Sequence, residues 1–399
     1  MGLSLAYQLA RRSSLKISLY EKGAGVGEGS TGASSAVCRF RYSLDEMVIL
    51  ARCGITAYRN WSEFTKIQCP LAKFHDDGVL WMSTGDPDWA EREHLRMTAL
   101  GVRTEVLDDQ AVQERFPALS VCPITPDFLT GEPHDCRAGD KHYFEVDGGY
   151  IDPVEVTNDL VDSCLREGVE LSFNSEIESL ETDNQRVTGV CLQGGKKISS
   201  PLVVNAAGPW CNKIFALCSL KLPWKLVPTR IQIVYLDCPV EISRSIPVVE
   251  DSAGGIYFRL QNNGQQLVVG SLMQEHEDEQ VKNMDYFNRF IDPDFEQTVL
   301  HALHHRIPGL PYRGAVRGYS GLYTMNRDDV HPVIGATSLE GLYAMNGFSG
   351  HGFKLAPAVS AMLARQITGE SLCDDPDVAS EFLAFGRRPI ILETKGVLA

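Results

Sequence analysis

The residues most able to do chemistry lie in one short run near the C-terminus, NGFSGHGFKLAP (346–357). Three glycines surround His351 and lead into a helix that the spacing predicts to begin near Lys354. A helix N-terminus carries partial positive charge and favours anions. A lysine in the first turn is unfavourable there unless it has a task, so Lys354 reads as a cation held for an anionic group. A second pair of cations stands in CRFR, where Arg39 and Arg41 interrupt an otherwise small and apolar stretch. A guanidinium binds both oxygens of a carboxylate at once. Arg41 reads as the first choice for that clamp and Arg39 as the second. Together these residues point to an anionic small molecule, a carboxylate among the candidates.

The elements that must position these groups have α/β texture. The opening MGLSLAYQLARRSSLKISLYEKG gives a helix with Leu3, Ala6, Leu9 and Ala10 on one face, then a buried strand closed by Glu21. Gly2 and Glu21 are nineteen residues apart, with helix and strand in the order of a dinucleotide-binding unit. In such a unit a glycine-rich turn and the helix N-terminus face the pyrophosphate, and the acidic residue accepts the ribose hydroxyls. The strand and turn expected before Gly2 are not in the sequence. The loop after Glu21 is rich in glycine and serine (Ser30, Thr31, Ser34, Ser35), with hydroxyls able to donate to a ligand. Segment 153–205 alternates helix, strand, a hairpin at Asp183-Asn184, and the apolar strand LVVNA. The small residues Ala206, Ala207 and Gly208 then permit close backbone approach, with Trp210 beside them. Residues 225–272 instead alternate in and out as antiparallel strands do, with an Asn262-Asn263-Gly264 turn at hairpin spacing.

Composition sets outer bounds. The net charge of −15, from 37 basic against 52 acidic residues, argues against nucleic acid or an anionic membrane surface as partner. Eleven cysteines without a C-x-x-C pair suit neither a zinc site nor a disulfide framework, so reduced thiols and a cytoplasmic location are expected. No apolar run approaches a transmembrane span. His301, His304 and His305 in HALHHR lack accompanying carboxylates, and no metal is expected.

The segments MGLSLAYQLARR…EKG, GSTGASSAVCRFR, VVNAAGPW, GLYTMNRDDVHPVIG and NGFSGHGFKLAP, taken in order, resemble the FAD-dependent D-amino-acid oxidase superfamily. The similarity is strongest to its glycine and sarcosine oxidase branch. It implies a Rossmann-like FAD-binding domain lacking its first strand (1–72, 146–220 and 318–399), with an inserted α+β substrate domain built on an antiparallel sheet (73–145 and 221–317). In the family the glycine motif commonly runs into M-G-L-S, so Met1 is expected to be an internal methionine and Gly2 the motif's third glycine. The literal chain is then expected to bind FAD weakly. The resemblance assigns cofactor contacts to Gly2, Glu21, Lys22, Ser30, Thr31, Ser34, Ser35, Ala207, Gly208, Trp210, Gly350, His351, Gly352, Phe353 and Lys354. Lys354 with Arg41 and Arg39 would fix the substrate carboxylate, with His351 and Tyr323 completing the site.

Three departures matter. Tyr323 stands where glycine and D-amino-acid oxidases carry arginine, which leans towards a sarcosine-like substrate. Leu322 replaces the flavin-tethering cysteine of sarcosine oxidases, so FAD should be non-covalent. Val268 replaces their oxygen-activating lysine, which leaves open oxygen or a redox carrier as acceptor. The expected reaction is oxidation of the C–N bond of a secondary or tertiary amino acid, with hydride passing to flavin N5. A 2-hydroxy acid donor, with His351 or His331 as base, and a pseudoenzyme without FAD are the alternatives.

Overall fold

The computed structural model describes residues 1–82, 85–127, 140–243, 246–311 and 315–392. In chain order its main elements are α1 (Gly2–Ala10), β1 (Ser18–Tyr20), α2 (Asp45–Arg59), β2 (Val79–Trp81), β3 (Thr104–Asp108), β4 (Lys141–Glu145), α3 (Pro153–Arg166), β5 (Glu170–Ser172), β6 (Val203–Asn205), β7 (Leu226–Asp237), β8 (Val248–Asp251), β9 (Ile256–Gln261), β10 (Gln266–Ser271), α4 (Pro293–Arg306), β11 (Arg317–Asn326), β12 (Val333–Ala336), β13 (Leu342–Asn346) and α5 (Gly352–Thr368).

The α/β layer is built on two small sheets, a parallel β1·β5 pair and a β6·β13·β12 trio whose β6·β13 pairing is parallel. Gly2 sits between them, 3.5 Å from Leu19 of β1 and 4.0 Å from Ala206 after β6 when a Cβ is built on it. Helix α5 is apolar nearly all round, through Leu355, Ala358, Val359, Met362 and Leu363, as a helix enclosed by neighbours must be. α1 lies on one side, donating Ser4 Oγ–H to the Ala356 carbonyl, and α2 on the other. Pro357 cannot donate to the Phe353 carbonyl one turn back. Tyr58 of α2 donates its hydroxyl to that carbonyl at 2.8 Å instead. The helix ends where the sequence predicts, at Gly369 in the left-handed region.

The second layer is one eight-stranded sheet in the order β11-β7-β10-β9-β8-β2-β4-β3, antiparallel except for β8·β2. The period-two alternation of its strands sorts the side chains into two faces. Leu80, Phe144, Val249, Phe258 and Val269 pack beneath α4 with Phe295, Val299 and Leu303. On that side the fully buried Arg306 is held by both oxygens of Asp251, at 2.8 and 2.9 Å. The other face (Val79, Trp81, Tyr143, Tyr257, Val268) joins the core of the α/β layer.

Two boundaries differ from the sequence expectation. The helical stretch predicted over 45–64 breaks at Asn60, and a short helix Trp61–Thr65 follows. Strand β11 runs through the expected domain boundary at 318 and pairs with β7 over ten positions, so these residues belong to the large sheet. Pairing with a distant strand, rather than any local signal, decides that membership. Both predicted hairpins form, with Asn184, Asn262 and Asn263 at positive φ. Among the described residues no helix is long and apolar enough to cross a membrane.

Gly54, inside α2, is where the two helices meet most closely. A Cβ built there would stand 2.1 Å from the Lys354 carbonyl oxygen. Alanine is favoured over glycine in a helix interior by about 1 kcal/mol. Gly54→Ala is nevertheless expected to destabilise the fold by roughly 1–3 kcal/mol through overpacking. Urea unfolding checks the sign, and a stabilised variant would contradict the contact.

Candidate active site

β1, β6 and β13 end at Tyr20, Asn205 and Asn346, and doubly wound folds bind ligands beyond the C-terminal ends of such strands. Asn205 and Asn346 close the ends of β6 and β13, with Asn346 Nδ2–H donating to the Asn205 carbonyl at 2.8 Å. Glu21 follows β1, and its carboxylate accepts the Gly23 N–H at 2.7 Å. The loop from Gly27 to Ala33 borders a cavity of about 360 Å³, walled by Trp210, Phe287, Arg289 and the Tyr319–Leu322 run of β11. That volume falls within the common range of ligand clefts, about 300–1,000 Å³. Gly32 is held by the Gly27 carbonyl, which a Cβ would meet at 2.6 Å, and Gly321 leaves room for Ala33. At the outer rim Asp285 accepts from Trp210 Nε1–H and Lys213 at 2.8 Å, and also from Lys22. Lys22 Nζ stands 4.1 Å from the Trp210 ring centroid. These three partners hold the Asp285 carboxyl well below the usual carboxylate range.

The second half of the site lies where the N-terminus of α5 meets the inner face of the large sheet. Gly347, Ser349 and Gly350 all take positive φ in the turn that aims the helix. His351 caps it, fully buried, with neither ring nitrogen hydrogen-bonded. Burial, with Lys354 and Arg39 beside it, pushes its pKa well below the ordinary value, so the ring is neutral. Lys354 is 6% exposed, and among the described residues no hydrogen bond or ion pair reaches its Nζ. Its ammonium lies 5.7 Å from the Tyr42 ring centroid, and the Arg39 guanidinium lies 4.6 Å from the same ring. Burial first, and Arg39 second, push the Lys354 pKa down to about 7. Glu250 of β8 forms a 3.9 Å ion pair with Arg39, and Glu145 of β4 accepts the Phe40 and Arg41 N–H groups at 2.8 Å. Burial raises both carboxyls to about 7.

The structure therefore gathers Lys354, His351 and Arg39 at one point. Arg41, the first choice from the sequence, is paired with Glu93 at 3.2 Å and flanked by Trp81 and Trp89. Ser30 and Trp210 border the cavity, and Thr31 lies in the same loop. Ser34 Oγ accepts the Ala36 N–H, and Ser35 Oγ–H donates to Tyr257. Ala207 and Gly208, the latter at positive φ, form the turn after β6. Gly352 opens α5, and Phe353 turns inward to stack on Tyr58 at 5.1 Å. Tyr323 sits on β11, with its hydroxyl engaged with Tyr257. His331 is buried, its Nδ1 engaged by the Asp329 carbonyl at 2.7 Å. Sequence reasoning missed Glu145, Glu250 and Tyr42. The signal was present for two of them, as a charge within the strands KHYFE and VVED.

These residues fit a flavin dinucleotide. The helix N-termini of α1 and α5 lie side by side, with Met1 Cε 3.1 Å from a Cβ built on Gly352. Two adjacent helix N-termini suit a diphosphate. The crevice also offers Glu21, a glycine-serine loop, and the unpaired buried Asn346 Oδ1. The cavity wall at position 322 is leucine, with no thiol to form a tether.

A protein-family model described as FAD dependent oxidoreductase (DAO) matches residues 1–366. FAD-dependent oxidoreductase domain-containing protein 1 of Xenopus laevis is 24% identical over 92% of this chain and 77% of its own length. The sarcosine oxidase subunit beta of Rhodobacter capsulatus is 21% identical over 92% of this chain and 82% of its own. Among solved structures, L-proline dehydrogenase from P. horikoshii superimposes with a TM-score of 0.80 at 22% identity, covering 96% of this chain and 93% of that one.

Asp285→Ala removes the shared acceptor of Lys22, Lys213 and Trp210 at the cleft rim. Exposed pairs contribute about 1 kcal/mol or less each. FAD affinity is therefore expected to fall about two- to tenfold, as read by fluorescence titration. Because the Asp285 carboxyl is held well below the usual range, wild-type affinity should stay level as pH falls through the ordinary carboxylate range, with the deficit of the alanine variant constant across it.

Proposed function

The chain belongs to the DAO family of FAD-dependent oxidoreductases, and from that membership we propose that it oxidises the C–N bond of a secondary or tertiary amino acid of the sarcosine type. One observation carries the reading: a buried lysine ammonium that has no anionic partner in contact among the described residues, beside a buried arginine, at the N-terminus of α5. A buried cation left without a counter-ion is costly, and a ligand carboxylate removes that cost. The amino-acid-related names of the relatives support the same substrate class.

FAD, when bound, supplies the two-electron acceptor. The chain's own residues bind and orient. Lys354 and Arg39 hold the substrate carboxylate, and the α5 N-terminus adds favourable potential. Arg41, tied to Glu93, shapes the outer wall rather than the clamp. Tyr42, Trp81, Tyr143 and Tyr257 are buried around this point and exclude water, which strengthens each charge interaction. Much of the rate then comes from holding the reacting carbon in place. Val268, fully buried in β10, brings no charge to the sheet face, which supports a redox carrier over oxygen as acceptor.

A 2-hydroxy acid donor needs a base to take the hydroxyl proton. Burial pushes the pKa values of both His351 and His331 down, which disfavours these two histidines as that base, and the amino-acid names of the relatives favour an amine donor over a hydroxy acid. That preference is directly testable. Anaerobic addition of sarcosine to the FAD-loaded protein is expected to bleach the flavin bands, while lactate leaves them. The opposite pattern would move the activity to hydroxy acids.

Lys354→Met is expected to lower kcat/KM by about 10²–10³, the range for removing one partner of a buried charge pair. Lys354→Arg should restore part of it. The ammonium must be protonated to hold an anion. Affinity for a simple carboxylate should therefore be full below pH 7 and fall as pH rises through about 7 towards 9. A titration that is flat with pH would contradict this role.

A further inference from the structure

The inner face of the large sheet carries two buried carboxylates that the reading above does not use. They differ in how they are satisfied. Glu145 is spent: Oε2 accepts from Phe40 N–H and Oε1 from Arg41 N–H, so it fixes the backbone that presents Arg39. Glu250 is not. Its Oε1 is 3.9 Å from Arg39 Nε, beyond hydrogen-bond range, and among the described residues its Oε2 has no partner although the side chain is only 4% exposed. A buried carboxylate oxygen without a donor is costly and calls for a reason. The Tyr42 hydroxyl, fully buried on the neighbouring segment, is likewise without a partner. An open cation at Lys354 and an open anion at Glu250 thus face one point from two layers.

We propose that Glu250 binds the ammonium of the amino-acid substrate through its free carboxylate oxygen and removes the ammonium proton before oxidation. This rests on the amino-acid reading of the same site. A zwitterion satisfies both open charges together: its carboxylate meets Lys354 and Arg39, and its N–H meets Glu250. In the proton step one N–H bond breaks and one O–H bond forms on Glu250. The nitrogen keeps the electron pair, and no oxidation occurs. That lone pair is what the C=N bond of the oxidised product requires. A carboxyl raised to about 7 by burial is well matched to accept this proton near neutral pH. The groups facing Glu250 are Arg39 and Arg41 from the segment after Cys38, Lys354 from α5, Glu145 from β4, Tyr42, and Tyr257, its register partner on β9. The three cations favour its charged form, and Glu145 opposes it.

The test compares two molecules of nearly equal shape, sarcosine and butanoate, which differ by N–H₂⁺ in place of CH₂. With the FAD-loaded wild type, the apparent Kd for sarcosine, read from the concentration dependence of the anaerobic reduction rate, should be at least tenfold below the Kd for butanoate, read from flavin absorbance. Glu250→Gln should keep butanoate affinity within about threefold and lose the preference. The ascending limb of the anaerobic reduction rate against pH should also move more than one unit alkaline, since sarcosine must then lose its proton in solution. Should the Gln chain fail to hold FAD, Glu250→Asp replaces it, with the preference kept and reduction slowed at least tenfold. A Gln variant that keeps the tenfold preference, an unmoved pH limb, or an Asp variant of wild-type rate each overturns the proposal. A wild type that binds butanoate yet neither prefers nor is reduced by sarcosine would instead overturn the amino-acid reading, leaving the carboxylate site standing.

Discussion

Burial of the Lys354 ammonium in the first turn of α5 is the constraint around which the rest is arranged. The position opposes the charge twice, by removing water and by placing it at the positive end of a helix. Arg39 adds a like charge. What holds the group there is backbone geometry imposed from elsewhere. Gly54 lets α2 press against the Lys354 carbonyl, Tyr58 takes the carbonyl that Pro357 leaves free, and α1 caps the opposite side through Ser4. None of these contacts is made by the ammonium. The helix is pinned by neutral packing, and the charge is carried into the core with it. The carboxylates of the sheet then oppose the accumulated positive charge without quenching it by direct contact with Lys354.

Much of this was legible in the sequence because it is local. Asp152 before Pro153 predicts the start of α3, and its side chain accepts from Val154 and Glu155 N–H groups as an N-cap does. Gly369 marks the end of α5, and asparagine marks the hairpins. The glycine-flanked His351 and Lys354 stand out because a helix start rarely places a lysine there without cause. What was not legible depends on which distant element covers which face. Arg39 and Arg41 are two residues apart and chemically alike. They are sorted only by Glu250 on one side and by Glu93, on the helix Trp89–Ala99, on the other. Glu145 and Glu250 interrupt apolar strands, which marks them as unusual. Alternation alone does not say whether the layer above is solvent, α4 or the FAD-binding layer. β11 reads as an alternating strand, and its ten-position pairing with β7 assigns it to the large sheet.

The rim of the cleft shows the same non-locality in a stronger form. Lys22 and Asp285 meet across 263 residues, and Trp210 and Lys213 reach the same carboxylate across more than seventy. Contacts of such sequence separation raise the contact order of the chain and slow its folding as a whole. The corner closes only when three distant segments meet, those of Lys22, Trp210 with Lys213, and Asp285. A ligand seated in this crevice therefore bridges parts of the chain that nothing local holds together, and its binding free energy adds to the stability of the whole fold by mass action.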